Sequence, residues 1–330
     1  MSGVKISDVA RLAGVSAMTV SRVVNGRGAV SAATRERVEA AVRTLGYSPN
    51  AAARKLATGQ ADRIGLIYSN PSPGYLSEFL LGALAGARRI GAQLIVEPCD
   101  DGPGGERAAL RRLAGGGVKA VILPPPHGES GEALSEARAL EMRVAAVATG
   151  VARTGDVTVR IDDRAAAAEM TRRLLSLGHT RLGFIGGATD QSASREREEG
   201  FRVEVDAAAA RGLVEAGDFT YRGGLAAAER LLALEAPPTA IFAANDEMAT
   251  AVVAAAHRRG LDVPGDVTVV GFDDTAAATS IWPALTTVRQ PIAEMAEAAA
   301  SLLGGAASGE RIDHVLAHRL VERGSSGPAS

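Results

Sequence analysis

Apolar positions along the chain change their spacing near residue 62. Before it they recur at three- and four-residue intervals. Residues 8–14, DVARLAG, put Val9, Ala10, Leu12 and Ala13 on one stripe, which predicts a helix with Ser7 as its cap. Gly14 allows a tight turn, Ser16 caps a second helix over 17–25, and Ser31 caps a third that Gly46 closes. Tyr47-Ser48-Pro49-Asn50 breaks the chain. Asn50 can cap one more short helix over 51–57, and Thr58-Gly59-Gln60 is a polar junction.

After residue 62, short apolar runs alternate with amphipathic stretches. RIGLIYS, AQLIVEP, KAVILPP, RVAAVAT and VTVRID predict strands, with helices such as FLLGALAGARRI and GERAALRRLAGG between them. The second half repeats the rhythm: RLGFIGG, GLVEAGD, TAIFAAN and VTVVGFD are strands. AAAEMTRRLLSLG, SREREEGFRVEVDAAAARG, GGLAAAERLLALE and EMATAVVAAAHRRG are helices. Such alternation with short loops implies parallel sheets covered on both faces. Two sets of about five strands exceed one compact sheet, so two α/β subdomains with a cleft between them are expected. The Ala-diluted strands leave their order open, and GSSGPAS at 324–330 is expected to be a disordered tail.

A length of 330 residues suits about two domains. With 46% hydrophobic and 22% charged residues, wholesale disorder is excluded. Cys99 stands alone, which excludes an intramolecular disulfide framework, suits a reducing cytosol and reads as structural. No apolar run approaches the ~18 residues of a membrane span, and MSGVKISDVA has no apolar secretory core. A cytoplasmic protein without a membrane partner is the expectation. The net charge of −2 hides an asymmetry: residues 1–60 hold nine basic and three acidic residues, +6, leaving −8 for the rest. Charge alone fits either a polyanion-binding head or chance clustering on a solvated helical surface.

The head has the pattern of a helix-turn-helix, with an ordinary three-helix bundle as the plainer alternative. Val20, Val23 and Val24 face inward, while Ala17, Met18, Ser21, Arg22 and Asn25 share the outer face. Short side chains allow close approach to a DNA groove, the Arg fork suits guanine, and Ala or Met suits a thymine methyl. Ser, Thr and Asn near a helix start suit phosphates.

These residues carry a resemblance. KISDVARLAGVSAMTVSRVVNG (5–26) and VSAATRERVEAAVRTLGYSPNAAARKLATG (30–59) resemble the head of the lactose/galactose repressor (LacI/GalR) family. The signature D-V-A-x-x-A-G-V-S-x-x-T-V-S-R runs complete from Asp8 to Arg22. IGLI (64–67), LGHTRLGFIGG (177–187), AIFAANDEMA (240–249), GLDVPGDVTVVGFDDT (260–275) and PALTTVRQP (283–291) resemble further landmarks of that family in the same order. The resemblance implies a helix-turn-helix domain over 1–49, a hinge helix and linker over 50–61, and an effector-binding and dimerisation core over 62–323. The core's two parallel-sheet subdomains resemble periplasmic sugar-binding proteins joined by three crossings.

The resemblance also implies partners: pseudo-palindromic double-stranded operator DNA, a small-molecule effector of carbohydrate type, and a second copy of the chain. Ala17, Met18 and Arg22 stand at base-reading positions, and Ser16, Thr19, Ser21 and Asn25 at phosphate-contacting ones. Asn50 opens the hinge helix. Leu56 matches a leucine that wedges between base steps in the minor groove, with a buried staple between head and body as its alternative. In the core, Arg197, Asn245 and Asp273 match cleft positions, and Phe219 and Gln290 are further candidates. Ser69, Pro73, Tyr75 and Leu76 are expected on the opposite wall. A helix cap at Asn245-Asp246 and a solvated loop at Asp273-Asp274 are the competing readings. The chain departs from the family at Ala148-Thr149-Gly150, where many members have an acid, and in ending after HRLVERG with only GSSGPAS, without a heptad helix.

Enzyme motifs are missing: no GxxxxGK[ST], no GxSxG and no HExxH. His314 and His318 would pair on a metal only if helical, and they read as surface histidines. No cofactor and no metal are expected. The sequence thus predicts a transcriptional regulator, a repressor of a catabolic operon with a sugar or glycoside effector. A purine- or nucleoside-responsive corepressor type is the alternative. A sugar-transport component and a carbohydrate-processing enzyme are rivals from other classes.

Overall fold

A computed structural model of the chain describes residues 6–24, 30–45, 62–69, 72–99, 104–150, 155–305 and 311–329. Asn25, Asn50 and Leu56 lie outside the described residues, as do the side chains of Ser21, Arg22 and Val24. Contacts divide the chain into two units, 1–62 and 63–330.

The first unit holds α1 (Ile6–Ala13), α2 (Ala17–Val24) and α3 (Ala32–Leu45). Val9, Ala10, Ala13, Val20, Val23, Val38 and Ala41 form its core. Ser16 caps the second helix, its hydroxyl accepting the Thr19 N–H at 3.1 Å. Ser31 accepts the Thr34 N–H at 3.4 Å. Ser7 is not the first cap: α1 already begins at Ile6, which packs against the core. Leu12 is also misplaced by the periodicity and is 54% exposed. At about 100° per residue it falls well off the face shared by Val9, Ala10 and Ala13.

The second unit alternates strand and helix as its pattern predicts. Its strands are β1 (Arg63–Tyr68), β2 (Gln93–Pro98), β3 (Ala120–Leu123), β4 (Arg143–Val147), β5 (Val157–Arg160), β6 (Arg181–Ile185), β7 (Arg211–Glu215), β8 (Ala240–Ala243), β9 (Thr268–Asp273), β10 (Thr286–Arg289), β11 (Ile312–Val315) and β12 (Arg319–Val321). Its helices are α4 (Pro73–Arg89), α5 (Gly105–Gly115), α6 (Gly131–Ala139), α7 (Asp163–Ser176), α8 (Ser192–Ala207), α9 (Tyr221–Leu232), α10 (Asp246–Arg258) and α11 (Ile292–Gly305). Two six-stranded sheets result, ordered β11-β5-β4-β3-β1-β2 and β12-β10-β9-β8-β6-β7. They repeat one topology, parallel throughout except where β12 runs antiparallel to β10. Continuous burial in β3, β4, β8 and β9 is what double-sided coverage demands of such strands.

Among the described residues the chain passes between the lobes three times: at 161–162, at 290–291 and at 316–318. The second crossing returns α11 to pack on α4, β4 and β5 of the first lobe. That helix and the short strands β10 and β11 carry no clear strand-helix signature in the sequence. Two further expectations are corrected and one is met. Helix α4 starts at Pro73 rather than Phe79, because Ser72 caps it and proline suits its first turn. The surface reading of the two histidines is the one met: His314 is exposed on a strand, and His318 bonds Glu169 at 3.0 Å. The tail expected to be disordered is described through Ala329 and stitched to the second lobe. Ser325 is fully buried, its hydroxyl donates to the Val269 carbonyl, and the Ala329 N–H donates to the Leu177 carbonyl at 2.9 Å. Small polar residues bonded to the starts of β9 and β10 and to the end of α7 are ordered by those bonds, whatever their composition suggests.

Candidate functional site

The loops at the carboxyl ends of both sheets enclose about 420 Å³ of empty space, part of it open to solvent. Open α/β sheets bind ligands at this end of their strands. Pro125 and Ala148 come from just beyond β3 and β4. Asn245, Asp273 and Gln290 come from the ends of β8, β9 and β10, and Arg197 projects from α8.

The polar centre belongs to the second lobe. Arg197 is buried; its Nε donates to Asp163 Oδ1 at 2.8 Å and its Nη1 to the Ala244 carbonyl at 2.7 Å. Asp273 Oδ1 is 3.8 Å from Nη1, and the guanidinium lies 3.6 Å above the Phe272 ring centroid. Gln290 Nε2 donates to Asp273 Oδ1. Burial pushes the Asp273 carboxyl up to about 7, although Arg197 and the Gln290 hydrogen bond act against it. Burial also raises Asp163 in spite of its pairing with Arg197. Asp246 is raised by burial and then by Asp273, and it works as an internal anchor: it accepts from the Thr275 N–H at 2.8 Å and the Thr287 hydroxyl at 2.6 Å.

Two buried polar atoms on residues that line this space have no hydrogen-bond partner, the Tyr75 hydroxyl and Gln290 Oε1. Burial raises the Tyr75 pKa, so the hydroxyl stays protonated. Such atoms cost stability unless something binds them. Backbone strain gathers here as well. Ala148, Phe219 and Asp273 are non-glycine residues with φ of 54°, 66° and 114°, and all three line the space. The Phe219 ring lies over Gly187, where a Cβ would collide with it.

The structure therefore brings together Tyr75, Arg197, Phe219, Asn245, Asp273 and Gln290. Three expected wall residues do not join them. Ser69 turns away, its Oγ 2.9 Å from His127 Nε2. Pro73 is exposed at the start of α4, and Leu76 is half-buried outside the lining. Asn245 holds both roles weighed for it: its side chain accepts the Met248 N–H and donates to the Phe219 carbonyl at 3.0 Å, while lining the space. Asp274 is not solvated, since Arg323 Nη2 bonds it at 2.6 Å. Ala148, singled out in the sequence as a departure from the family, also lines the space; Ser72, Pro125, Gln191 and Ala193 complete the lining without having been expected there. The position of Pro125 at the end of a predicted strand was the signal available for it.

In the head, Ala17 and Met18 are exposed, Met18 by 66%. Ser16 and Thr19 join their hydroxyls at 2.9 Å. Among the described residues there is no cluster of three or more His, Cys, Asp or Glu fit for a metal, and no helix long and apolar enough to cross a membrane.

Residues 5–50 match the bacterial regulatory proteins of the lacI family, and residues 171–326 match the periplasmic binding protein-like domain. The HTH-type transcriptional regulator CelR of Thermobifida fusca is 36% identical over 95% of this chain and 94% of its own length. A solved CelR–cellobiose complex superposes with a TM-score of 0.74 at 32% identity, over 98% of this chain and 100% of that one. The lac repressor dimer bound to operator and the anti-inducer ONPF gives 0.72 at 28% identity, over 98% and 99%.

Proposed function

Because this chain belongs to the lacI family of bacterial regulatory proteins, we propose that it is a repressor of a catabolic operon whose effector is a sugar or glycoside. The observation that carries the effector reading is the cavity between the lobes. Its planar Arg197, Asp273, Gln290 and Asn245 side chains suit vicinal hydroxyls, and Tyr75 and Phe219 offer aromatic surface. The unpartnered Tyr75 hydroxyl and Gln290 oxygen give a hydroxyl-rich ligand both a donor and an acceptor to meet. The cellobiose held by the CelR structure supports the same class.

On the DNA side, α2 enters the major groove. Ala17, Met18 and Arg22 read bases, and Ser16, Thr19, Ser21 and Asn25 meet phosphates. Asn50 and Leu56 belong to the hinge, with Leu56 as a minor-groove wedge. A pseudo-palindromic operator calls for two copies of the chain. Exposed apolar side chains on the core suit that contact: Leu81 and Leu84 on α4 of the first lobe, Tyr221 and an 86%-exposed Trp282 on the second. Effector binding shifts the balance between two lobe arrangements, and operator affinity follows.

The test is a thermal-shift screen with cellobiose, monosaccharides and purines, followed by operator titration with each stabilising compound. A ligand at about 100 times its Kd adds ~2.7 kcal/mol of stability. A carbohydrate should stabilise the protein and change operator affinity. Stabilisation by purines alone would replace the effector class and keep the regulator. Arg22→Ala should cost ~1–3 kcal/mol on the specific site and relax base preference there; equal small losses on specific and random DNA would refute base reading.

A further inference from the structure

Helix α8 presents Arg197 to the cavity, yet its own start lacks a side-chain cap. Gln191 occupies the cap position and makes no capping hydrogen bond. An uncapped helix start leaves backbone N–H groups without partners and a partial positive charge. Here the other lobe supplies what is missing. Glu129, in the first-lobe turn between β3 and α6, accepts the Ser192 N–H on Oε2 at 2.8 Å and the Ser192 hydroxyl on Oε1. The same Ser192 oxygen accepts the Gly150 N–H at 2.8 Å, from the first-lobe loop after β4.

Two features show that this contact is built rather than incidental. At Gly150 a Cβ would lie 2.7 Å from the Ala193 nitrogen and 2.8 Å from Ser192 Oγ, so only glycine lets the lobes approach this closely. The turn bearing Glu129 is also pinned to its own lobe. The buried His127 ring bridges Ser69 Oγ at 2.9 Å and Glu106 Oε1 at 2.6 Å, and the Ser130 hydroxyl donates to the second Glu106 oxygen. Neither Glu129 nor Gly150 lines the space bounded by Arg197, Asp273 and Tyr75.

We propose that Glu129 and Gly150 form an interlobe latch on the start of α8, which biases the lobes toward each other before any effector is bound. The carboxylate both caps the helix and complements its dipole, so separating the lobes exposes the helix start and strands the carboxylate's partners. A pre-set bias of this kind raises the apparent affinity of whatever ligand the cavity takes, because less of the binding energy goes into moving the lobes. The inference does not depend on the ligand being a carbohydrate.

The test uses the full-length protein without added ligand and two variants, Glu129→Ala and Ser192→Ala. Amide hydrogen exchange reads the Gly150 and Ser192 N–H groups, and small-angle X-ray scattering reads the radius of gyration. The expected result is roughly 5- to 30-fold faster exchange at both amides in Glu129→Ala, from the loss of a cap, together with a larger radius of gyration. Ser192→Ala should move both readouts in the same direction. Faster exchange at Ser192 with an unchanged radius would reduce Glu129 to a local cap and overturn the latch, as would unchanged exchange at Gly150.

Discussion

The two lobes of the core share one topology and divide the work unequally. In the second lobe the sheet's carboxyl end holds a buried cluster of ionisable side chains, Arg197, Asp163, Asp273 and Asp246, braced by Gln290 and Thr287. In the first lobe the equivalent end is nearly uncharged where it meets the cavity, with Ser72, Tyr75, Pro125 and Ala148. Its hydrogen-bonded Glu106–His127 pair sits beside the cavity and orders the turn that bears Glu129. A repeated fold therefore specifies where a ligand can sit, not which lobe recognises it. On the function proposed above, the second lobe supplies the preorganised polar groups and the first supplies the opposite wall.

The most forceful test of that division removes the centre of the ionisable cluster. Arg197→Ala leaves Asp163 and Asp273 buried without their cation, and breaking a buried pair in this way costs about 3–5 kcal/mol. Chemical denaturation should show that loss in the protein without ligand. Arg197 is thus a pillar of the second lobe as well as a candidate ligand contact, and a stability near that of the wild type would remove it from the first role.

A second test uses pH. The folded Asp273 carboxyl titrates at about 7 and the unfolded one near the ordinary aspartate value of 3.8. Below 3.8 both states hold the proton. Between there and about 7 the folded state alone holds it, so the contribution of this group to stability is full at low pH and is lost as pH rises through about 7. Asp273→Asn should flatten that part of the decline. Melting temperatures of wild type and variant that run parallel from pH 4 to 8 would contradict it.

The smallest effect is expected in the first lobe. Tyr75→Phe deletes a buried hydroxyl that has no hydrogen-bond partner. Stability without ligand should hold or rise, by about 1 kcal/mol at most. Affinity for the carbohydrate found in the screen should fall about 10-fold, for the loss of ~1.4 kcal/mol. If Tyr75→Phe destabilises the protein as much as Arg197→Ala, the wall and the recogniser are not distinct.

Local physics made much of this legible in the chain. Apolar runs, helix periodicity and caps such as Ser16 and Ser31 operate over a few residues, so they announce helices in the head and alternating strands in the core. The family resemblance, rather than local physics, pointed Asn245 and Asp273 to the cleft, and both stand at or just beyond strand ends. Tertiary structure decided the rest, because it depends on what distant segments meet. Ser69 follows its strand as a cleft residue should, but His127, 58 residues away, takes its hydroxyl. GSSGPAS has the composition of a loose end, and Thr286, Val269 and Leu177 order it. Strand β10 is four residues long and becomes a strand by pairing with β9 and β12. The sequence by itself determined the segmentation, the head and the chemistry available to the cleft. Only the fold decided which side chains face it and which lobe bears the charge, because burial and hydrogen-bond pairing are properties of the assembled structure and not of any local stretch.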